Sequence, residues 1–212
     1  MKRVPALRTL ENALRRLGFI HVAGVDEVGR GCLAGPVTAA AVVLHPDRHI
    51  AGVCDSKQVP APEREVLFER ITTQAIAWAV ASADPEEIDR INIHQAGLRA
   101  MQRAVLGLQP APDMVLVDAF KIPELPMPQR GVKHGDRRCA AIAAASIVAK
   151  VIRDREMAVM HVRDARYGFD RHKGYATADH LAAVARFGYS DIHRRSFRAQ
   201  TLALVPTTPH AD

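Results

Sequence analysis

Apolar positions along the chain recur at two spacings, one helical and one strand-like. Over residues 8–17 they fall at Leu10, Leu14 and Leu17 with arginines opposite, which predicts an amphipathic helix. A strand pattern follows at 19–26, with Phe19, Ile20, Val22 and Val25 as its buried members. A second apolar run, PVTAAAVVL at 36–44, predicts a buried partner strand, so the pair reads as an antiparallel hairpin with a long glycine-rich connection. Residues 45–59 are polar and irregular. Pro60 and Pro62 lead into a helix over 63–74 with acids in its first turn, as the helix dipole prefers. Ala75–Ser82 alternates Ile76, Trp78 and Val80 with small residues and predicts a third strand, with Trp78 as strand core and not a base-stacking platform.

A short helical turn is expected at 84–87. Asn92 caps the next helix, which carries Leu98, Met101, Val105 and Leu108 and is ended by Pro110 and Pro112. Met114–Val117 is a strand that ends in a lone acid, Asp118, and the proline-rich stretch 121–129 is a loop. Val132 and Lys133 suggest a short strand before His134-Gly135-Asp136. The longest helix is expected from Arg138 to about Met160, and its alanine-rich line of Ile142, Ala145, Ala149 and Ile152 suits close packing on a sheet. Thr177 begins a last helix with Leu181 and Val184 buried and Gly188 as its stop. Strands alternating with helices make the chain α/β.

Composition adds a class of partner. The 212 residues are 48% hydrophobic and 25% charged, with 29 Lys and Arg against 23 Asp and Glu, a formal charge of +6. The sequence pI of 9.6 favours a polyanionic partner without proving one. Cys32, Cys54 and Cys139 are odd in number and lack metal-ligand spacing, which fits reduced thiols in a cytoplasmic protein. No apolar run is long enough to cross a membrane, and the basic N-terminus, interrupted by Glu11, is expected to be an exposed helix and not a signal peptide.

The chemistry concentrates in FIHVAGVDEVGRGCLAGPV, residues 19–37. Adjacent Asp26 and Glu27 close an apolar strand, an arrangement that repulsion and desolvation make costly unless something cationic binds there. Gly24, Gly29, Gly31 and Gly35 surround them and allow backbone N–H groups to approach a ligand. Asp118 and Asp136 also sit at a strand end or glycine turn, and three or four carboxylates suit one or two hard cations such as Mg²⁺. Adjacent strand residues point to opposite faces, so Glu27 reaches the same ion as Asp26 only if the chain bends there; otherwise it pairs with an Arg or Lys.

GVDEVGRGCLAGPV resembles the signature of ribonuclease HII. DSK at 55–57, EIDRINIHQAG at 87–97, LVDA at 116–119, HGD at 134–136, AAASIVAKVIRD at 143–154, YGFDRHKGY at 167–175 and HRRSF at 193–197 resemble further family blocks in family order. The resemblance implies a ribonuclease H-like mixed β-sheet flanked by helices with a small C-terminal helical segment. It implies catalytic metal binding by Asp26, Glu27, Asp118 and Asp136, with two Mn²⁺ or Mg²⁺ ions when substrate is bound. It further implies that the backbone of Gly29, Arg30 and Gly31 contacts the 2′-hydroxyl of a ribonucleotide and that Tyr175 stacks on the next deoxyribose. The implied reaction cuts 5′ of ribonucleotides embedded in duplex DNA, and RNA in RNA–DNA hybrids, leaving 3′-hydroxyl and 5′-phosphate ends. A monomer is expected. The organisation reads as an N-terminal helix (1–18), a catalytic domain (19–160), a helical substrate-binding segment (161–204) and a disordered tail (205–212).

The rival readings are another ribonuclease H-like nuclease and a non-catalytic nucleic-acid-binding protein, which has no need of four strand-end acids. Four positions depart from the family pattern: Cys32 for proline, Gln58 for lysine, Gly97 for a small hydroxyl residue and Ala119 for glycine. Arg30 pairs either with Glu27 or with a phosphate, and Lys57 is either a phosphate ligand or a solvated lysine. Lys150 and Asp154 are spaced as a surface pair, with Asp154 the reserve for the fourth acid. His172, Lys173, His193, Arg194 and Arg195 form either a phosphate-binding face or a solvated one.

Overall fold

The computed structural model describes residues 5–197, so the tail expected at 205–212 lies outside the described residues. In chain order the elements are α1 (Thr9–Arg16), β1 (Val22–Val28), β2 (Val37–Val43), α2 (Ala61–Gln74), β3 (Ala77–Ala83), α3 (Pro85–Ile91), α4 (Ile93–Leu106), β4 (Met114–Asp118), β5 (Gln129–Val132), α5 (Gly135–Arg138), α6 (Ala140–Arg163), α7 (Phe169–His172) and α8 (Ala178–Phe187). The strands form one mixed sheet in the order β3-β2-β1-β4-β5. β1 runs antiparallel to β2, which runs antiparallel to β3, while β1, β4 and β5 are parallel. The expected hairpin and the mixed α/β sheet are both present.

Both faces of the sheet are covered, which is why its central strands read as continuous apolar runs. Val22, Ala40, Val42 and Leu116 pack with α2 and α6 on one side. Ala23, Val25, Ala39, Ala41, Val115 and Val117 pack with α4 on the other. The alanine-rich start of α6 lies almost on the backbone of β1: a Cβ added to Gly24 would sit 2.2 Å from the Ala141 carbonyl carbon. Glycine on the strand and alanine on the helix are what permit that approach.

Several expectations shift by a turn or less, each for a local reason. β1 begins at Val22, and Ile20 is 68% exposed, because the Ile20 and His21 N–H groups donate to the Asp113 carboxylate instead of a strand partner. β3 begins at Ala77, and Trp78 is an exposed edge residue resting edge-on against Phe68, so it is not strand core. The short strand is Gln129–Val132, carried into register by pairing with β4 that a local reading cannot see. The long helix is preceded by the separate turn α5, broken by Cys139 in an extended conformation. In α8 the buried residues are His180 and Ala183, with Leu181 and Val184 only half-buried. Leu17, just past α1, is exposed, and Glu11 within the helix is buried. The Glu11 carboxylate accepts the Ala141 N–H at 2.8 Å, satisfying an otherwise unpaired donor at the positive end of α6.

Candidate active site

β1 and β4 lie side by side in parallel, with Val25 opposite Val117, so Asp26 and Asp118 emerge next to each other where the strands end. Alternation puts both on the α6 side of the sheet, in phase with Val22 and Leu116. Glu27 falls on the α4 side, where its Cγ is 4.0 Å from the position a Cβ on Gly97 would take. The bend that would bring Glu27 to the face of Asp26 is absent: β1 stays paired with β2 through Val28. Glu27 instead holds Arg30 at 3.1 Å, the ion pair given above as the alternative. The two acids still border one cleft because the strand ends there and both side chains overhang its edge.

Asp136 reaches the same cleft from the first turn of α5. The turn is fastened to β4 by the Gly135 N–H, which donates to Asp118 Oδ1 at 2.7 Å. The cleft has a volume of about 330 Å³ and is lined by Asp26, Glu27, Gly29, Arg30, Gly31, Lys57, Asp118, Asp136 and Tyr175. All nine residues singled out from the sequence are therefore brought together. Val28, Ser56, Ser146 and Lys150 complete the lining. Asp154 lies aside, bonded to Lys150 at 2.5 Å and to Arg64 at 3.2 Å, so the expected Lys150–Asp154 pair is formed.

The acids are held against their electrostatic preference. Burial pushes the Asp26 carboxyl well above the usual range, and the adjacent Glu27 and Asp118 charges push it further. Glu27 is raised by burial despite the opposing Arg30, and Asp136 is raised by burial and by the charges of Asp55 and Asp118. Such crowding costs stability unless a cation offsets it. The donor set is all carboxylate oxygen, which fits a hard divalent cation and not zinc. Among the described residues no three His, Cys, Asp or Glu side chains already converge on one point. Glu27 is turned to Arg30 and Asp118 Oδ1 to the Gly135 N–H, so Glu27 would have to release its arginine to contact a cation in the cleft.

The glycine turn has two kinds of glycine. Gly29 has φ +93°, and an added Cβ would lie 2.3 Å from Arg153 Nε and 2.8 Å from the Pro36 carbonyl oxygen, so the fold itself demands glycine there. At Gly31 nothing lies within 4 Å of an added Cβ, so no neighbour in the chain requires its absence. Beneath the turn are two arginines with 0% exposure, Arg153 and Arg194. Arg153 donates to the carbonyls of Pro36, Lys173 and Ala34 at 2.9, 2.9 and 3.2 Å. Arg194 donates to those of Gly35, Arg30 and Pro36 at 2.9, 3.0 and 3.1 Å. Burial pushes Arg194 down to about 10, so it stays charged at neutral pH.

The basic C-terminal cluster is thus corrected in part. Arg194, His193 and His172 are buried, and only Arg195 is exposed, with Lys173 between. Arg153 falls four residues after Ala149, on the buried line of α6, where a charged residue signals a buried task. Asp55, within the DSK block, is buried, accepts the Lys57 N–H at 3.0 Å and so orients the loop that brings Lys57 to the cleft. Ser146, which hydrogen-bonds the Asp26 carboxyl, lies within the block at 143–154, but its residue type alone does not mark it as reaching the acids.

Ala119, just beyond Asp118, adopts φ +58°. A left-handed alanine costs about 1–2 kcal/mol, so Ala119→Gly should raise the melting temperature by roughly 2–8 °C. An unchanged or lower melting point in a thermal scan would mean the turn is not strained. Gly97 lies against the Glu27–Arg30 pair, with Arg30 3.8 Å from an added Cβ, so a small side chain would be accommodated there.

The family model for Ribonuclease HII matches residues 23–200. The chain is 52% identical over 180 residues to a ribonuclease HII of Vibrio cholerae serotype O1, covering 85% of this chain and 87% of that protein. Its fold is similar to the crystal structure of ribonuclease H2 from Pyrococcus horikoshii OT3, with a TM-score of 0.71 at 24% identity over 87% of this chain and 98% of that one. It is also similar in fold to Bst-RNase HIII in complex with Mn²⁺, with a TM-score of 0.61 at 22% identity over 92% of this chain and 73% of that one.

Proposed function

The chain belongs to the ribonuclease HII family and is a ribonuclease H-type hydrolase, and from that premise we propose that it cuts duplex DNA on the 5′ side of an embedded ribonucleotide. The same centre would hydrolyse the RNA strand of RNA–DNA hybrids, leaving 3′-hydroxyl and 5′-phosphate ends. The observation that carries this reading is the placement of four acids beside an open glycine backbone in one cleft.

Asp26, Glu27, Asp118 and Asp136 would hold the divalent cations, Mn²⁺ or Mg²⁺; a related fold, Bst-RNase HIII, is described with Mn²⁺ bound. Two such ions bound there would polarise the attacking water and stabilise the departing 3′-oxygen. Asp26 and Asp118, fixed on rigid strands, orient that chemistry with little reorganisation. Arg30, freed when Glu27 turns away, is available to a phosphate, as is Lys57. The Gly29–Gly31 backbone would meet the 2′-hydroxyl, the atom that separates RNA from DNA, and the half-exposed Tyr175 ring would pack on the next sugar, which lacks it. Specificity then needs no base to be read.

The decisive experiment is a 5′-labelled DNA duplex carrying one ribonucleotide, incubated with Mn²⁺, Mg²⁺ or EDTA. One metal-dependent cut on the 5′ side of that nucleotide is expected, with an all-DNA duplex left whole. Cleavage of the all-DNA duplex, or a cut on the 3′ side, would overturn the reading.

The two glycines should separate. Gly31→Ala is expected to leave thermal stability unchanged and lower kcat/KM on this duplex by at least about tenfold, since the methyl group intrudes only on the substrate. Gly29→Ala should destabilise the fold by about 2–3 kcal/mol through strain and overpacking. Equal melting points for the two variants would contradict the assignment.

A further inference from the structure

His172, His180 and His193 are buried, and the nitrogens of the last two form a directed chain that ends on Tyr175. The Tyr175 carbonyl can only accept, so His180 Nδ1, at 2.9 Å, carries the proton and donates to it. His180 Nε2 must then accept, and His193 Nε2 donates to it at 3.0 Å. That leaves His193 Nδ1 as an acceptor, and it takes the Ser190 N–H at 2.9 Å. Each hydrogen position follows from the one before, beginning at a carbonyl that has no choice.

A third ring supports the first two. His172 stacks on His180 at 4.3 Å between centroids with 12° between planes. Its Nε2 donates to the Tyr167 carbonyl at 2.6 Å, and its Nδ1 accepts the N–H of Gly174, the residue before Tyr175, at 3.2 Å. Burial pushes His180 and His193 down to about 4, so both rings are neutral in ordinary buffers and the pattern of donors is kept.

Packing alone does not account for three imidazoles. Tyr167 and Phe169 already supply stacked apolar rings at this core, and Ala34, Met157 and Ala183 fill around them. Burying polar rings costs desolvation that apolar residues of the same size avoid, so what imidazoles add is direction. The direction is toward Tyr175, which forms an isolated antiparallel bridge with Cys32 beside the glycine turn. Its carbonyl also accepts the Thr177 N–H at 2.8 Å, so the residue is fixed from its own turn and from α8 together.

We propose that His180 and His193 are positioning residues for Tyr175, holding its backbone so that the ring meets the sugar at the RNA–DNA junction. The proposal rests on the reading of Tyr175 given under Proposed function. Its signature is a change in preference and not a general loss: a mispositioned ring impairs a substrate with one junction more than a long RNA–DNA hybrid, where many sites offer cleavage.

The test measures kcat/KM on a duplex with a single ribonucleotide and on a long hybrid, for four variants beside the wild type. His180→Phe keeps a ring for stacking and removes both hydrogen bonds; His180→Asn keeps a donor near the Nδ1 position. Tyr175→Ala and the Tyr175→Ala/His180→Phe double variant complete a cycle. His180→Phe is expected to lower the ratio of the two kcat/KM values by about tenfold, the scale of one buried hydrogen bond. His180→Asn should restore most of it, and the double variant should be no worse than Tyr175→Ala alone. If Tyr175→Ala lowers the ratio but His180→Phe lowers both substrates equally, or neither, the positioning inference is wrong. If Tyr175→Ala itself leaves the ratio unchanged, the reading of Tyr175 fails first. Should His180→Phe not fold, His193→Gln, which removes the Ser190 acceptor, takes its place: a lowered ratio supports the inference and an unchanged one overturns it.

Discussion

Asp26→Asn is expected to lower kcat on a single-ribonucleotide duplex by about a thousandfold or more, the scale of losing one preorganised electrostatic contact at a reacting centre. It should also raise the melting temperature in EDTA. The two effects share a cause. Asp26 is buried beside Glu27 and Asp118, and its charge is disfavoured there by burial first and by those neighbours second. Asparagine keeps the shape and can still accept the Glu27 N–H that Asp26 Oδ1 accepts at 2.8 Å, but it removes the repelling charge. Relief worth about 1 kcal/mol would appear as roughly 2–4 °C. Sites that hold a charge for function characteristically give up stability in this way. Asp118→Asn should behave alike, since its Oδ1 can go on accepting the Gly135 N–H. Duplex affinity in EDTA should change little in either variant. Wild-type cleavage by Asp26→Asn or Asp118→Asn with Mn²⁺ or Mg²⁺ would remove these acids from the metal site.

Arg194→Ala is expected to cost about 3–5 kcal/mol of stability, because it empties a buried volume and strips donors from three carbonyls. Those carbonyls belong to Arg30, Gly35 and Pro36, so the residues that frame the cleft loosen with the core. Arg194→Lys should recover little, since one ammonium cannot span three acceptors that a planar guanidinium reaches at once. Urea unfolding followed by circular dichroism measures this directly. A loss under about 1 kcal/mol would show that the turn is held by other contacts. The comparison with Arg195 is a useful control: it is exposed, so Arg195→Ala should leave stability nearly unchanged.

The alternation of strands and helices, the glycine turn and the four acids were all legible along the chain because each is written in local residue types. Asn92 capping α4 and Thr177 capping α8 are cases where the local code is complete: both accept the N–H groups their positions require. The departures have a common form. Ile20 looked like a strand residue until Asp113, far along the chain, took its N–H. Arg194 looked like part of a basic face, yet it lies under the turn that carries Arg30, more than a hundred and fifty residues earlier in sequence, and no local pattern encodes that meeting.

The sequence by itself determined the class of the fold and the identity of the residues that could do chemistry, because hydrophobic period and side-chain type are properties of short segments. Only the tertiary structure decided how they meet. Parallel pairing of β1 with β4 put Asp26 beside Asp118, while the unbroken strand sent Glu27 to Arg30 on the other face. It also sorted Gly29 from Gly31, one required by the chain and the other by nothing in it. Which side of a strand an acid takes, and whether an arginine faces water or a carbonyl, depends on partners brought together by the whole core, and that information is spread over the chain as a whole.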